Sequence, residues 1–272
     1  MGRRNRTGID HGWSHVMNRG VDRQSIFFAD TDRVDFGRLL GVGCERFGVE
    51  VHAYCLMSNH FHLLLHCPDG GLSSFMHVLQ STYVRHVNDR IGRDGPLFRG
   101  RFRSIPVNTD AYLRSAVRYI HRNPLEIPSV NTVEEYRWSS HRTYLGHRRR
   151  PGWFRTSFVL DLFDGDITAF DRFVRGDETE PVGVGLDQLD SIIELIADEY
   201  LPGTLESTRG VTKAVSMLLL DRIPDRLRSQ LEATLAFPSR GAQRTAMARA
   251  RRLATSDPTF DDIAERVRQM VA

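Results

Sequence analysis

Apolar positions in the first half of the chain follow two different spacings, and the switches between them mark the elements. Ser14 to Arg19 and Val49 to Leu56 read as strands. A turn at Met57-Ser58-Asn59 then leads into a third apolar run that starts at His60. Two such runs joined by a few turn-forming residues signal a hairpin. Asp32 to Phe47 instead carries Val34, Phe36, Leu39 and Leu40 at helical spacing. Ser73 to Ile91 does the same with Phe75, Val78, Leu79 and Val84. Arg103 to Val107 predicts a fourth strand, and Pro106 places it at a sheet edge or a bulge. Thr109 or Asp110 is a good cap for a further helix. That helix is expected to stop near Asn123, because Pro124 disfavours helical angles in the residue before it.

The order β-α-β-β-α-β followed by a helix is the split ferredoxin-like pattern, with helices on one sheet face. The fold class is therefore α+β, a ferredoxin-like domain over residues 12–150 followed by a mostly helical C-terminal domain. Beyond Arg150 the pattern changes. Trp153, Phe154, Phe158, Leu160, Phe163, Phe170 and Phe173 predict short packed helices, and the Gly-, Pro- and acid-rich run from Arg175 to Gly185 reads as a linker. Residues 151–185 thus form a connecting segment, and 186–272 a helical domain. Its helices are expected at Leu189 to Tyr200, Val211 to Leu220, Asp225 to Leu235, Arg240 to Ala254 and Phe260 to Val271, with Pro238-Ser239 starting the fourth. The 272 residues suffice for two domains and a sizeable core.

The candidate chemistry lies in two of these elements. On a strand, side chains alternate faces, so His60 and His62 project together while Phe61, Leu63 and Leu65 face the other way. Adjacent imidazoles on a rigid support suit a divalent metal; the plainer alternative is a polar strand face with no ligand. Tyr119 and Asn123, four residues apart on the later helix, stack on one face and offer a phenol and an amide oxygen. The plainer alternative for Tyr119 is a core tyrosine. Tyr112 is a rival nucleophile, but its neighbour one turn on is Ala116, which coordinates nothing; Tyr83 lies on the preceding helix. His66 shares the histidine face but lies further along the strand, and reads as a structural or partner-facing residue and not as a ligand.

Composition narrows the partner. The net charge is only +3, yet Lys213 is the sole lysine against a large excess of arginine, the side chain that forks phosphates and guanine edges. Arg85, Arg90, Arg93, Arg99, Arg101 and Arg103 lie between the histidine strand and the tyrosine helix, interleaved with Phe98 and Phe102. Basic groups beside aromatic rings suit single-stranded DNA, although either phenylalanine could equally be core. No phosphate-binding Gly-x-x-x-x-Gly-Lys loop occurs, so no nucleotide triphosphate is implied. Three cysteines without a Cys-x-x-Cys spacing argue against a secreted disulfide framework. The polar start after Met1 is unlike a signal peptide, and no apolar run approaches a membrane span. A cytoplasmic protein is expected.

Four pieces in order now carry a resemblance. His60-Phe61-His62, Leu97 to Ser104, Arg118 to Pro124 and Tyr136-Arg137-Trp138-Ser139-Ser140 together resemble the HUH single-strand DNA transposases, in particular the REP-associated tyrosine transposase branch. The resemblance spans about residues 12 to 147. It implies His60, His62 and Asn123 as metal ligands, Tyr119 as nucleophile, and Mg²⁺ or Mn²⁺ as cofactor. It further implies single-stranded or hairpin DNA as substrate, a covalent 5′-phosphotyrosine intermediate and a monomer. Zinc or nickel would also suit two imidazoles and an amide.

The C-terminal run from Asp190 through Ser239-Arg-Gly-Ala-Gln-Arg-Thr245 to Phe260 is similar to the helix-turn-helix domain of the bacterial replication initiator. Gly241, Ala242 and Gln243 depart from that domain's recognition signature. The resemblance implies duplex DNA as a partner, with Arg240 and Arg244 among the contacts; the alternative is a packing module. Two other readings of the whole chain stand beside the transposase. One is a DNA-binding regulator that keeps the fold without catalysis, and the other is a metallohydrolase that activates water.

Overall fold

The structure, a computed structural model, describes residues 10–176, 186–200, 208–223, 225–235 and 237–271. The polar start after Met1 and the 177–185 part of the expected linker lie outside the described residues. The chain divides into two compact units, Met1–Thr179 and Glu180–Ala272.

The first unit contains the predicted β-α-β-β-α-β order. Its elements are β1 (Gly12–Arg19), α1 (Asp30–Phe47), β2 (Glu50–Leu56), β3 (His60–Cys67), α2 (Leu72–Ile91) and β4 (Arg103–Pro106), followed by α3 (Asp110–Arg122). The strands form one antiparallel sheet in the order β2-β3-β1-β4. As expected for a strand carrying Pro106, β4 is at an edge. α1 starts two residues earlier than its apolar spacing suggests. The reason is Asp32, whose carboxylate accepts the Phe28 and Ala29 amides at 2.7 and 2.8 Å and closes the first turn.

Register assigns each sheet residue a face. Ser14, Val16, Phe61, Leu63 and Leu65 share one face, where Phe36 of α1 packs 5.1 Å from Phe61 and Tyr83 of α2 packs 5.1 Å from Phe36. Trp13, His15, Met17, Arg19, His60, His62 and His66 share the other. Tyr119 of α3 sits on that second face, 5.5 Å from the His62 ring. α1 and α2 therefore cover the apolar face, and α3 covers the histidine face.

Beyond α3 comes a further short helix, α4 (His141–Tyr144), and after it α5 (Ser157–Asp161) and α6 (Ile167–Arg175) form the short helices expected from the aromatic residues. They extend the histidine-face layer. Phe170 stacks on Tyr144 at 4.6 Å, and Arg118 of α3 lies over the Phe173 ring. The Tyr136-to-Ser140 segment has a physical role that its sequence did not disclose: it covers the outer edge of β2. The Leu56 amide donates to the Trp138 carbonyl at 3.0 Å, Tyr136 Oη donates to the Leu56 carbonyl at 2.8 Å, and the Tyr54 amide donates to Ser140 Oγ at 2.9 Å. An otherwise open strand edge is thereby closed. Ser140 Oγ also shares a 2.7 Å hydrogen bond with His121 Nε2, which links the edge to α3.

The second unit comprises α7 (Leu186–Tyr200), α8 (Thr208–Leu219), α9 (Asp225–Leu235), α10 (Arg240–Ser256) and α11 (Thr259–Val271). Ile192, Ile193, Ile196, Val215, Leu219, Ile263 and Val267 are fully buried in its core. Ser239 caps α10 as expected, its hydroxyl accepting the Ala242 amide. Among the described residues, no helix is long and apolar enough to cross a membrane.

Removing the Ser140 hydroxyl should be costly, because it strands the Tyr54 amide and His121 Nε2 in a buried place. Ser140→Ala is expected to lose about 1–3 kcal/mol, seen as a lower urea midpoint at unchanged slope. An unchanged midpoint would show that the edge clip contributes nothing to stability.

Candidate functional site

β3 presents His60 and His62 on the sheet face under α3, whose last turn carries Tyr119 and whose C-cap is Asn123. Thr109 starts this helix by accepting the Tyr112 amide at 3.1 Å. It stops at Arg122, next to Asn123 as expected, but without the extended angles that Pro124 was expected to impose. Asn123 keeps helical angles (φ −51°, ψ −39°), and its amide still bonds the Tyr119 carbonyl. The chain then turns through a short 3₁₀ segment, Asn123–Glu126, with Pro124 at its start, where no amide is needed. Because Asn123 stays helical, its side chain remains one turn beyond Tyr119 on the same face.

The three candidate ligands converge. His60 Nε2 lies 2.8 Å from Asn123 Oδ1, and Asn123 Nδ2 lies 3.4 Å from His62 Nε2. The other ring nitrogens are held from behind: His60 Nδ1 is 2.7 Å from Asn59 Oδ1, and His62 Nδ1 is 3.0 Å from His15 Nε2. Such outer partners fix ring orientation and leave both Nε2 atoms aimed at one place, as metal-binding imidazoles require. Octahedral ligands at Mg²⁺ bond lengths stand about 3 Å apart, and the distance from His60 Nε2 to Asn123 Oδ1 is of that size. The Tyr119 ring lies 5.5 Å from His62 and 5.9 Å from His15. All four groups are buried, none more than 7% exposed.

The rival tyrosines are elsewhere. Tyr83 Oη donates to the Ile26 carbonyl at 2.6 Å in the core beneath the other sheet face. Tyr112 is fully buried, and burial pushes its phenol well above the ordinary tyrosine range. Phe98 and Phe102 are also core residues, Phe98 packing edge-on to Phe61, so neither ring offers a stacking surface for bases.

The arginines expected at DNA separate into groups. Arg85 and Arg101 are exposed. Arg90 pairs with the buried Asp32 carboxylate at 2.6 Å, and Arg93 donates to the Pro96 carbonyl at 3.0 Å, so both have structural partners. Arg99 is half-buried, its backbone amide bonded to the Arg19 carbonyl. Arg103 stands opposite Met17, which in turn stands opposite His62, so it shares the histidine face. In the second unit, Arg240 and Arg244 are exposed on the first turns of α10.

Sequence reasoning missed three residues. His15 orients His62, and Arg19, buried opposite His60, puts a guanidinium on the same face. His121 anchors α3 between Tyr119 and Asn123. The signal for His15 was its alternation with Met17 on β1, visible only once the pairing with β3 is known.

A protein-family model described as "Transposase IS200 like" matches residues 10–123, the segment that contains His60, His62, Tyr119 and Asn123. The N-terminal segment is thus similar to these transposases, and the match supports a transposase-type, DNA-processing function. A solved structure described as that of the "REP associates tyrosine transposase bound to a REP hairpin" is 18% identical, covering 57% of this chain and 92% of that one, with a TM-score of 0.46. No curated protein matches the chain.

Burial, and after it the charge of His141, holds the His121 imidazole well below its usual pKa. A depressed histidine favours the folded state above about pH 6.5, the unfolded value, and withdraws that stability as pH falls towards the folded value. The urea midpoint is therefore expected to drop between pH 7.5 and pH 5, and His121→Gln to flatten the profile. Identical profiles would contradict the assignment.

Proposed function

We propose that this protein is a metal-dependent single-strand DNA endonuclease and strand transferase that acts on hairpin-bearing DNA through a covalent 5′-phosphotyrosine. The observation that carries the reading is the meeting of Tyr119, His60, His62 and Asn123 on one sheet face, within the segment that matches IS200-like transposases. His60 and His62 would hold Mg²⁺ or Mn²⁺ through Nε2, with the Asn123 amide oxygen as third ligand. When bound, such an ion polarises the scissile phosphate and stabilises charge on the leaving oxygen.

The chain's own groups do the rest. Tyr119 attacks phosphorus in line, a Tyr–O–P bond forms, the P–O3′ bond breaks, and in net terms the phenolic proton passes to the leaving 3′ oxygen. The phosphotyrosine keeps the bond energy for rejoining, so no nucleotide triphosphate is required. His15 and Asn59 hold the two imidazoles in register. Arg103 and Arg19, on the same face, supply positive charge for the phosphate. Because the four central groups are buried, DNA binding must part the layer around the end of α3.

The exposed first turns of α10, with Arg240 and Arg244, support a duplex-contacting role for the second unit. Its similarity to a replication-initiator helix-turn-helix is part of this proposal.

Incubation with end-labelled hairpin oligonucleotides and Mg²⁺ tests the chemistry. Tyr119→Phe should abolish cleavage while leaving DNA affinity within about threefold, under 1 kcal/mol; His60→Ala with His62→Ala should abolish Mg²⁺-dependent cleavage. Full activity in Tyr119→Phe would remove it as nucleophile, and binding without cleavage across many hairpins would favour a non-catalytic regulator. Arg240→Ala with Arg244→Ala should lower duplex affinity and its salt slope, by about one unit per lost phosphate contact. Unchanged binding would make the second unit a packing module.

A further inference from the structure

At the opposite end of β3 from His60, the same sheet face gathers a second set of metal-ligating groups. Glu50 and His52 come from β2 and His66 from β3, and one ligand atom from each lies within 4.8 Å of the others. His66 Nδ1 is 2.9 Å from Glu50 Oε2, and His52 Nε2 is 3.5 Å from the same oxygen. We propose that Glu50, His52 and His66 form a second divalent-metal site, for an ion of the Zn²⁺ class, that ties the bulged end of β2 to β3.

Four observations carry this beyond a surface ion pair. His52 is the extra residue of a β-bulge, since Val51 pairs with Leu65 and Ala53 with Leu64. Bulges re-aim side chains and recur beside functional sites. Its imidazole is buried, yet Nδ1 has no hydrogen-bond partner and Nε2 has only the long contact to Glu50 at 3.5 Å, a cost that a bound cation would remove. Trp13 packs against both imidazoles, with ring centroids 4.4 Å from His52 and 4.6 Å from His66, and so fixes their orientation. Glu50 and His66 are in part open to solvent, so an ion has a way in.

Ligand chemistry selects the class of ion. Two imidazoles and one carboxylate suit Zn²⁺, Co²⁺ or Ni²⁺ more than Mg²⁺. Burial lowers the His52 pKa to about 4, so its ring is neutral and ready to coordinate at neutral pH. A comparable group, Glu134, His141 and Asp171, lacks this vacancy of charge, because the Arg175 guanidinium already bonds both carboxylates. Six residues of strand separate His66 from His60, about 20 Å, so the two sites are chemically independent.

The test is a Co²⁺ titration of the metal-free full-length chain, read by visible ligand-field absorption and by bound metal per chain. The His60→Ala/His62→Ala variant serves as background, so the outcome does not depend on the nuclease reading. One Co²⁺ equivalent displaceable by Zn²⁺ is expected in that background, and its loss on adding His52→Ala or, at the half-exposed ligand, His66→Ala. Should the background variant fail to fold, wild-type protein is expected to lose one bound equivalent on His66→Ala alone. No bound Co²⁺, or binding indifferent to both His52→Ala and His66→Ala, would overturn the proposal.

Discussion

The docking of α3 over the sheet rests on a buried hydrogen-bond chain that runs Tyr54–Ser140–His121. Ser140 Oγ accepts the Tyr54 amide, donates to the Tyr54 carbonyl at 3.2 Å, and meets His121 Nε2. His121 lies two residues after Tyr119 and two before Asn123, so whatever sets its height on the sheet sets theirs. Polar groups this buried are costly when unmatched, so the Tyr54 amide, Ser140 Oγ and His121 Nε2 favour the arrangement that pairs them, although His121 Nδ1 stays unpaired. A helix held only by apolar contacts could slide against the strands; this one is pinned where its final turn meets His60 and His62.

The sheet contributes the other half of the geometry. One face is an aromatic core built on Phe36, Phe61 and Tyr83, and the other carries an unusual density of imidazoles. Burying His15 and His62 side by side is tolerable because each offers the other a hydrogen-bond partner at 3.0 Å. The same contact lowers the readiness of His15 to take a proton, with burial the larger cause and His62 the smaller. Neutral, oriented imidazoles are the form that metal coordination needs.

Much of this was legible in the sequence, and the exceptions share a cause. Apolar runs bounded by turn residues placed the strands, helical spacing placed α1 and α2, a cap and Pro124 placed α3, and the i, i+4 relation of Tyr119 to Asn123 held. The start of α1 was missed because Asp32 acts through a cap and not through the apolar stripe. Asn123 was expected to leave the helix before Pro124, but the following 3₁₀ turn accommodates the ring and keeps the amide in place. Phe98 and Phe102 read as possible base-stacking rings until packing made them core, and the pairing of Arg90 with the distant Asp32 has no signal in the sequence. His15 and the Tyr136-to-Ser140 segment act on partners about 50 and 80 residues away, so only the register of the sheet discloses them.

The central claim is that Tyr119 itself becomes bonded to DNA. The most direct measurement is peptide mapping by mass spectrometry after the protein has been incubated with a hairpin oligonucleotide and Mn²⁺ and then digested with protease and nuclease. The account predicts a nucleotide mass on the peptide containing Tyr119, attached through a 5′ phosphate. Cleaved DNA with no modified peptide, or a modification on Tyr112 or Tyr83, would contradict it.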